Sequence, residues 1–110
     1  MPSQRPKKRY VAFHIQSAKE IDTSLIRKSI HSAFKHHIGE SEMQHSNFYF
    51  YENRFNRRKN RGLLRVAPAY KDQLLETLHD LTEIDNHAVN VESIGISGTM
   101  KKAYGKYIAS

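Results

Sequence analysis

The side chains most able to do chemistry in this sequence are cations that stand apart from the acids. Twelve of the 18 Lys and Arg residues lie in three segments that contain none of the 11 Asp and Glu residues. These segments are 1–9, 53–61 and 99–110, and the net charge of +7 is therefore concentrated in three places. Segregated positive charge indicates a polyanion partner. The alternative is that these cations only keep the surface soluble.

The last two cationic segments supply the candidate phosphate-binding side chains. They are Arg54, Arg57, Arg58, Lys59, Arg61, Thr99, Lys101, Lys102 and Lys106. The stretch 95–104 predicts a strand that ends at Gly98, followed by a helix that carries lysines but no acid. We expect Gly98 to allow a tight turn, so that Thr99 caps the helix and its backbone N–H groups face phosphate.

The seven histidines are the remaining candidates for catalysis, and their spacing argues against a shared site. His36 and His37 are adjacent, so on a helix their side chains diverge by about 100° and do not hold one metal. His37 falls in an apolar stripe, where a hydrogen-bonded structural histidine is the common outcome. The sequence also has no Cys, no Gly-rich phosphate loop and no hydrolase motif. It predicts no catalytic residue, metal or cofactor in this chain, the alternative being an endoribonuclease that uses His14 or His31.

One domain must position these residues. Residues 1–8 are expected to form a flexible basic arm, and 9–110 a single α/β domain that binds RNA and protein. Hydrophobic periodicity predicts strand 9–16, helix 23–38 ended by Gly39, strand 47–52, strand 62–67, helix 70–83, strand 86–97 and helix 99–108. No apolar run is long enough for a secretory signal or a membrane span, so a cytoplasmic protein is expected.

The order β-α-β-β-α-β predicts an α+β fold. It is typical of a ferredoxin-like or RNA-recognition-like α/β sandwich, with a four-stranded antiparallel sheet and here a short C-terminal helix. Each long helix buries one face against the sheet. The other sheet face is left free for a partner, or for the final helix to cover.

The central strands decide which mode of recognition the sequence favours. An RNA-recognition module stacks bases on aromatic side chains there, but Ala12, Leu63 and Arg65 occupy those positions here. We therefore expect contact with the nucleic-acid backbone rather than with splayed bases.

Four further residues are open as contacts to RNA or to a partner protein. They are Arg9, Tyr49, Tyr51 and Arg65. For the two tyrosines the alternative is that they are half-buried strand residues. For Arg65 the alternative is an ion pair with Glu52 across the hairpin.

Three segments resemble protein component two of archaeal and eukaryotic ribonuclease P, a family shared with ribonuclease MRP. They are Arg9-Tyr10-Val11-Ala12-Phe13, Gly62-Leu63-Leu64-Arg65-Val66 and Ile96-Ser97-Gly98-Thr99-Met100-Lys101-Lys102-Ala103. The last is similar to the family's Ser-Gly-Thr-Ile-Lys-Lys-Ala signature, with Met100 in place of Ile. The likeness runs from about Arg9 to Tyr107.

The resemblance implies a ferredoxin-like subunit that binds the catalytic RNA of ribonuclease P and supports removal of the 5′ leader from precursor tRNA. Catalysis then belongs to the RNA and its Mg²⁺, and this chain is non-catalytic. The implied protein partners are the TIM-barrel-like component three and a second copy of this chain, in a two-plus-two assembly. The implied location is the cytoplasm, or the nucleus and nucleolus in a eukaryote. A ribosomal or regulatory interaction module is the third interpretation.

Overall fold

A computed structural model of the protein describes residues 7–109. Most of the predicted basic arm, residues 1–6, lies outside the described residues. The strands are β1 (Arg9–Ser17), β2 (Tyr49–Phe50), β3 (Arg61–Val66), β4 (Glu83–Ile84) and β5 (His87–Ser97). The helices are α1 (Thr23–Ile38), α2 (Glu40–His45), α3 (Lys71–Asp80) and α4 (Met100–Ala103), and α4 continues as a π-helical turn, Tyr104–Ile108. Short 3₁₀ turns occupy Glu52–Arg54 and Pro68–Tyr70.

The strands form one antiparallel sheet in the order β2-β3-β1-β5-β4. The predicted α+β class is confirmed, and the longer elements follow the expected β-α-β-β-α-β order. The sheet has five strands rather than the expected four, because β4 pairs with the start of β5. Asp85 and Asn86 join the two strands with φ of 52° and 64°. Two successive left-handed residues make a tight hairpin turn, and the Asp-Asn pair was the sequence signal for it.

The second strand and the second long helix, α3, are shorter than predicted. Asn47 adopts a φ of 56° just before β2, and the Glu52–Arg54 turn follows it, so only Tyr49–Phe50 pair with β3. Gly39 ends α1 as expected, with a φ of 91° that other residues rarely adopt, and α2 begins at the next residue.

The main core lies between the sheet and the two long helices. Phe13 of β1 is fully buried and contacts the Phe50 and Phe55 rings, at centroid distances of 5.8 and 6.3 Å. The helices contribute fully buried side chains such as Phe34 of α1. The prediction that His37 lies in the apolar stripe is wrong, since His37 is exposed.

A smaller core covers the opposite sheet face. Leu63, Ala12 and Gly95 lie in register across three neighbouring strands, and the last helical segment packs over them. A Cβ at Gly95 would overlap the Tyr107 ring, so a glycine there allows the segment to approach closely. The final helix therefore covers the face where an RNA-recognition module would expose its stacking platform.

A β-bulge in β5 decides which of its apolar side chains reach each core. Ala12 pairs with Gly95 and Phe13 with Ser93, so Ile94 is the extra residue. Val91 upstream of the bulge is in register with Ile15, and Ile96 downstream of it is in register with Val11, so both lie on the main-core face, whereas Ile94 packs against the smaller core.

Candidate nucleic-acid interface

The cationic segment 53–61 is an ordered hairpin extension. Asn56 and Arg61 exchange backbone hydrogen bonds of 2.8 and 3.2 Å and close a four-residue tip, residues 57–60. The Asn56 Oδ1 also accepts a hydrogen bond from the Lys59 backbone N–H, and Asn60 turns the chain with a φ of 53°. The tip therefore holds Arg58 and Lys59 in defined positions on the surface.

Three contacts join this extension to the C-terminal helical segment. The Arg54 guanidinium lies 5.0 Å from the centroid of the Tyr104 ring. The Asn56 side-chain amide donates to the Ile108 carbonyl at 2.8 Å, and Arg61 Nη1 donates to the Tyr107 carbonyl at 3.0 Å.

The two hydrogen-bonded carbonyls belong to the last helical turn, which has no internal partners for them. A cation beside that end also complements the helix dipole. Two cationic segments about fifty residues apart in sequence thus form one surface, called here the basic surface, made of residues 53–61 and 99–109. Sequence reasoning missed Asn56 and Tyr104 as the residues that hold it together.

The predicted phosphate-binding residues divide into engaged and available cations. Arg57 is engaged, because its guanidinium lies 2.7 Å from a Glu20 carboxylate oxygen and 3.6 Å from an Asp22 carboxylate oxygen. Arg61 is half-buried and holds the Tyr107 carbonyl.

The available cations lie on the tip and on α4. Within residues 7–109, four exposed cations of this surface take part in neither an ion pair nor a cation–π contact: Arg58, Lys59, Lys101 and Lys102. Lys106 is also exposed, and its ammonium lies 5.4 Å from the centroid of the Tyr107 ring.

Thr99 caps α4 as expected. Its Oγ1 accepts a hydrogen bond from the Lys102 backbone N–H at 3.3 Å, and its own N–H donates to the Ser97 Oγ at 3.2 Å. The chain bends at Gly98, but the φ of Gly98 is not in the left-handed region, and a Cβ there would meet no atom of the described residues within 4 Å. The turn therefore forms at Gly98 without needing a conformation that is special to glycine.

The junction between β5 and α4 also borders a groove of about 570 Å³. We call it the junction groove. It is lined by Lys7, Lys8, Arg9, Tyr10, Gly98, Thr99 and Met100. The described end of the first cationic segment thus lies beside the third. Arg9, an open candidate in the sequence, is half-buried and donates from Nη1 to the Lys8 carbonyl at 3.1 Å.

The other open residues lie at the β2 end of the sheet. The predicted pair of Arg65 with Glu52 is wrong, because Glu52 pairs with Arg27 of α1 at 2.9 Å. Arg65 instead donates from Nε to the Asn47 carbonyl and lies over the Tyr49 ring, 5.2 Å from its centroid. Tyr49 remains half exposed, at 50%.

Tyr51 is half-buried and turned toward the smaller core. Its ring lies 6.3 Å from the Tyr10 ring and 4.8 Å from the Tyr49 ring, between centroids. Burial raises the pKa of the Tyr51 hydroxyl above its usual value of 10.0, so the phenol stays neutral at physiological pH.

The histidines are dispersed. His14 lies on the central strand β1, in register with Arg61 and Glu92, and His31 on α1 packs its ring edge against Phe48. In the described part of the chain, no three His, Asp or Glu side chains are grouped closely enough to hold a metal ion. Among the described helices, none combines the length and the apolar character needed to cross a membrane.

The fold and this surface define a small α+β protein with a five-stranded antiparallel sheet, one face of which is closed by a cationic C-terminal segment. The model of the Rpp14/Pop5 family matches residues 9–108. The chain belongs to this family, which confirms the resemblance seen in the sequence.

Two archaeal relatives and one solved structure illustrate the similarity. Ribonuclease P protein component 2 of Thermococcus kodakarensis is 28% identical over 108 residues, which cover 98% of this chain and 88% of the relative. Its counterpart from Methanococcus vannielii is 31% identical over 107 residues, covering 97% and 79%. A chain in the structure of yeast ribonuclease MRP has the same fold, with a TM-score of 0.64 at 17% identity, over 89% of this chain and 79% of that one.

Proposed function

We propose that this protein is a non-catalytic subunit of ribonuclease P that binds the catalytic RNA and supports removal of the 5′ leader during tRNA processing. The observation that carries the proposal is the joining of segments 53–61 and 99–109 into one basic surface with exposed cations. Such a surface neutralises closely spaced phosphates and releases their counterions, which is the main source of affinity for nucleic acid.

The closed sheet face supports recognition of the RNA backbone rather than of bases. Ala12 and Leu63, on the two central strands, are fully buried beneath the C-terminal segment. Bases therefore have no aromatic platform there on which to stack. Phosphate contacts position an RNA without reading its sequence, so the protein would fit one RNA by shape.

The roles of the individual cations follow from their partners. Arg58, Lys59, Lys101 and Lys102 contact phosphates, Arg54 and Lys106 add charge beside the tyrosines on which they lie, and Arg61 holds the C-terminal segment in place. Arg57 mainly fixes the tip to the loop before α1. In the holoenzyme the Mg²⁺ ions belong to the RNA, and we expect the protein to act where that RNA acts, in the cytoplasm of an archaeal cell.

Binding of ribonuclease P RNA is expected to depend steeply on salt. If four to six phosphates are neutralised, the association constant should fall by on the order of a hundredfold or more between about 50 and 200 mM salt. A filter-binding or anisotropy titration with a transcript of archaeal ribonuclease P RNA measures this slope. A flat response would exclude electrostatic recognition by the basic surface.

We propose that the protein partner, ribonuclease P protein component three, docks beside the edge strand β2. Tyr49 lies half exposed on this edge, next to a groove of about 320 Å³ that His31 and Phe48 line. Exposed tyrosine beside a groove is typical of the residues that dominate protein interfaces. A second copy of the chain would complete the two-plus-two assembly.

Tyr49→Ala is expected to weaken binding of component three by about tenfold or more, because the substitution removes one exposed aromatic anchor. Ile96→Ala is the matched control, since Ile96 is also a large, partly exposed apolar residue but lies on β5. Calorimetric titration of purified component three against both variants measures the effect. Equal affinity for the wild type and the Tyr49 variant would move the interface elsewhere, and sedimentation of the mixture reports the stoichiometry.

A further inference from the structure

Gly98 is a glycine for which the described chain provides no internal reason. Gly39 has a left-handed φ, and a Cβ at Gly62 or Gly95 would overlap aromatic rings. Gly98 has neither property, because its φ is not left-handed and no described atom lies within 4 Å of a Cβ placed there. Gly105 shares both features, so an approaching molecule at Gly98 must be inferred from what surrounds this glycine.

The surroundings of Gly98 indicate what approaches. Lys7, Lys8 and Arg9 line the junction groove together with Gly98, and its described lining residues include no acid. Its volume of about 570 Å³ lies within the range of ligand-binding sites. The chemistry is therefore that of an anion that contacts cations and the backbone around Gly98.

Further cations follow the groove residues along the chain. Thr99 and Met100 line the groove, and the next two residues are the exposed Lys101 and Lys102 of α4. A single carboxylate or free phosphate would use only the groove, whereas a linear polyanion can follow the cations from the groove onto the basic surface. This continuity favours an RNA strand over an acidic peptide side chain.

We infer that the sugar-phosphate backbone of RNA passes through the junction groove directly over Gly98, with one phosphate held by Lys7, Lys8 and Arg9. The inference rests on the proposed function, namely that the chain binds RNA, and names where one strand lies. Contact is to the backbone, so it is independent of the base at that position. A side chain at residue 98 would occupy the space that the ribose and phosphate need.

Two substitutions of Gly98 test this in the full-length chain. Gly98→Leu is expected to raise the Kd for a transcript of archaeal ribonuclease P RNA by tenfold or more, and Gly98→Ala by a smaller factor. The slope of log K against log salt should decrease by about one for each phosphate that the variant no longer neutralises. The melting temperature should stay at or above the wild-type value, because both residues fit the backbone conformation and order the unfolded chain.

Ala69→Leu is the matched control. Ala69 is exposed in the turn Pro68–Tyr70, outside both the basic surface and the groove, so its variant should bind RNA within about twofold of the wild type. One contrary outcome is that the RNA affinity of the wild type depends steeply on salt while Gly98→Leu binds with the same affinity and the same slope. In that case the strand does not pass over Gly98, and the inference fails while the proposed function stands. Weaker binding of protein component three with unchanged RNA affinity would also overturn it. Absence of RNA binding by the wild type would refute the proposed function and the inference together.

Discussion

Replacing Lys101 and Lys102 together by alanine is expected to raise the Kd for ribonuclease P RNA on the order of twentyfold at physiological salt. Both lysines are exposed on α4 and take part in no ion pair within residues 7–109, so their full charge is available to phosphate. The slope of log K against log salt should fall by about two, since each lysine neutralises one phosphate. The measurement is an anisotropy titration at several salt concentrations.

The fold should be unaffected by this double substitution. Alanine is a better helix former than lysine, and the side chain that holds α4 in the smaller core is Ala103, which is fully buried. Unchanged melting temperature and circular dichroism would show that the weaker binding does not come from unfolding.

Lys19→Ala with Lys28→Ala is the matched control, because it removes the same charge. Both lysines are exposed and lie outside the basic surface, on the loop before α1 and on α1 itself. Their replacement should change the Kd by less than about threefold. Equal effects of the two double variants would mean that only net charge matters, and an unchanged Kd for the α4 variant would place the RNA elsewhere.

Gly95→Ala is expected to lower the free energy of unfolding by about 1–3 kcal/mol or more. The new Cβ would overlap the Tyr107 ring, and the nearest strand neighbour, Ala12, is fully buried and leaves no room to shift. The ring must move, and we expect this to disturb the last turn, whose Tyr107 and Ile108 carbonyls accept hydrogen bonds from Arg61 and Asn56. RNA affinity should fall too, because the lysines of α4 are then no longer held in position. Urea denaturation and an RNA titration measure the two effects.

The double variant Gly95→Ala with Tyr107→Ala separates overlap from a general decrease in stability. If the overlap is the cause, the two substitutions are non-additive, and the pair should be more stable than the sum of the single effects by about 1 kcal/mol. Gly105→Ala, at a position with open space, should leave stability nearly unchanged or slightly raised. Simple additivity of Gly95→Ala and Tyr107→Ala would show that the ring does not limit residue 95.

Local patterns were enough to predict most of the elements. Alternating Val11, Phe13 and Ile15 form the buried face of β1, and α1 ends at Gly39 as its backbone preference predicts. The missed strand β4 had a local signal as well, since Asp85-Asn86 favours a two-residue hairpin turn. These predictions succeed because strand alternation, helix capping and turn preferences act within a few residues.

The bulge in β5 is indicated partly by the local sequence and partly only by the tertiary structure. On the main-core face the apolar residues shift from an odd position, Val91, to an even one, Ile96, and this change of parity indicates one extra residue. The sequence does not say which partner strand meets the extra residue. That depends on the register with β1, which is set by packing on both faces of the sheet.

The sequence by itself determined the segregation of charge and the family, because composition and a contiguous signature are properties of the chain alone. Only the tertiary structure decided which cations are available. Arg57 and Arg58 are equivalent neighbours in sequence, but Arg57 is paired with Glu20 and Asp22 whereas Arg58 is exposed and unpaired within the described residues. Side chains distant in sequence meet only once the sheet and helices have packed, so no local pattern encodes these pairings.

The same reason applies to the glycines of the final junction. The sequence predicts that Gly98 allows the turn, and it assigns no role to Gly95. In the structure Gly95 lies beneath the Tyr107 ring, and Gly98 faces open space beside three cations. Whether a position needs glycine depends on the atoms that pack opposite it. These atoms are in place only once the whole chain has folded.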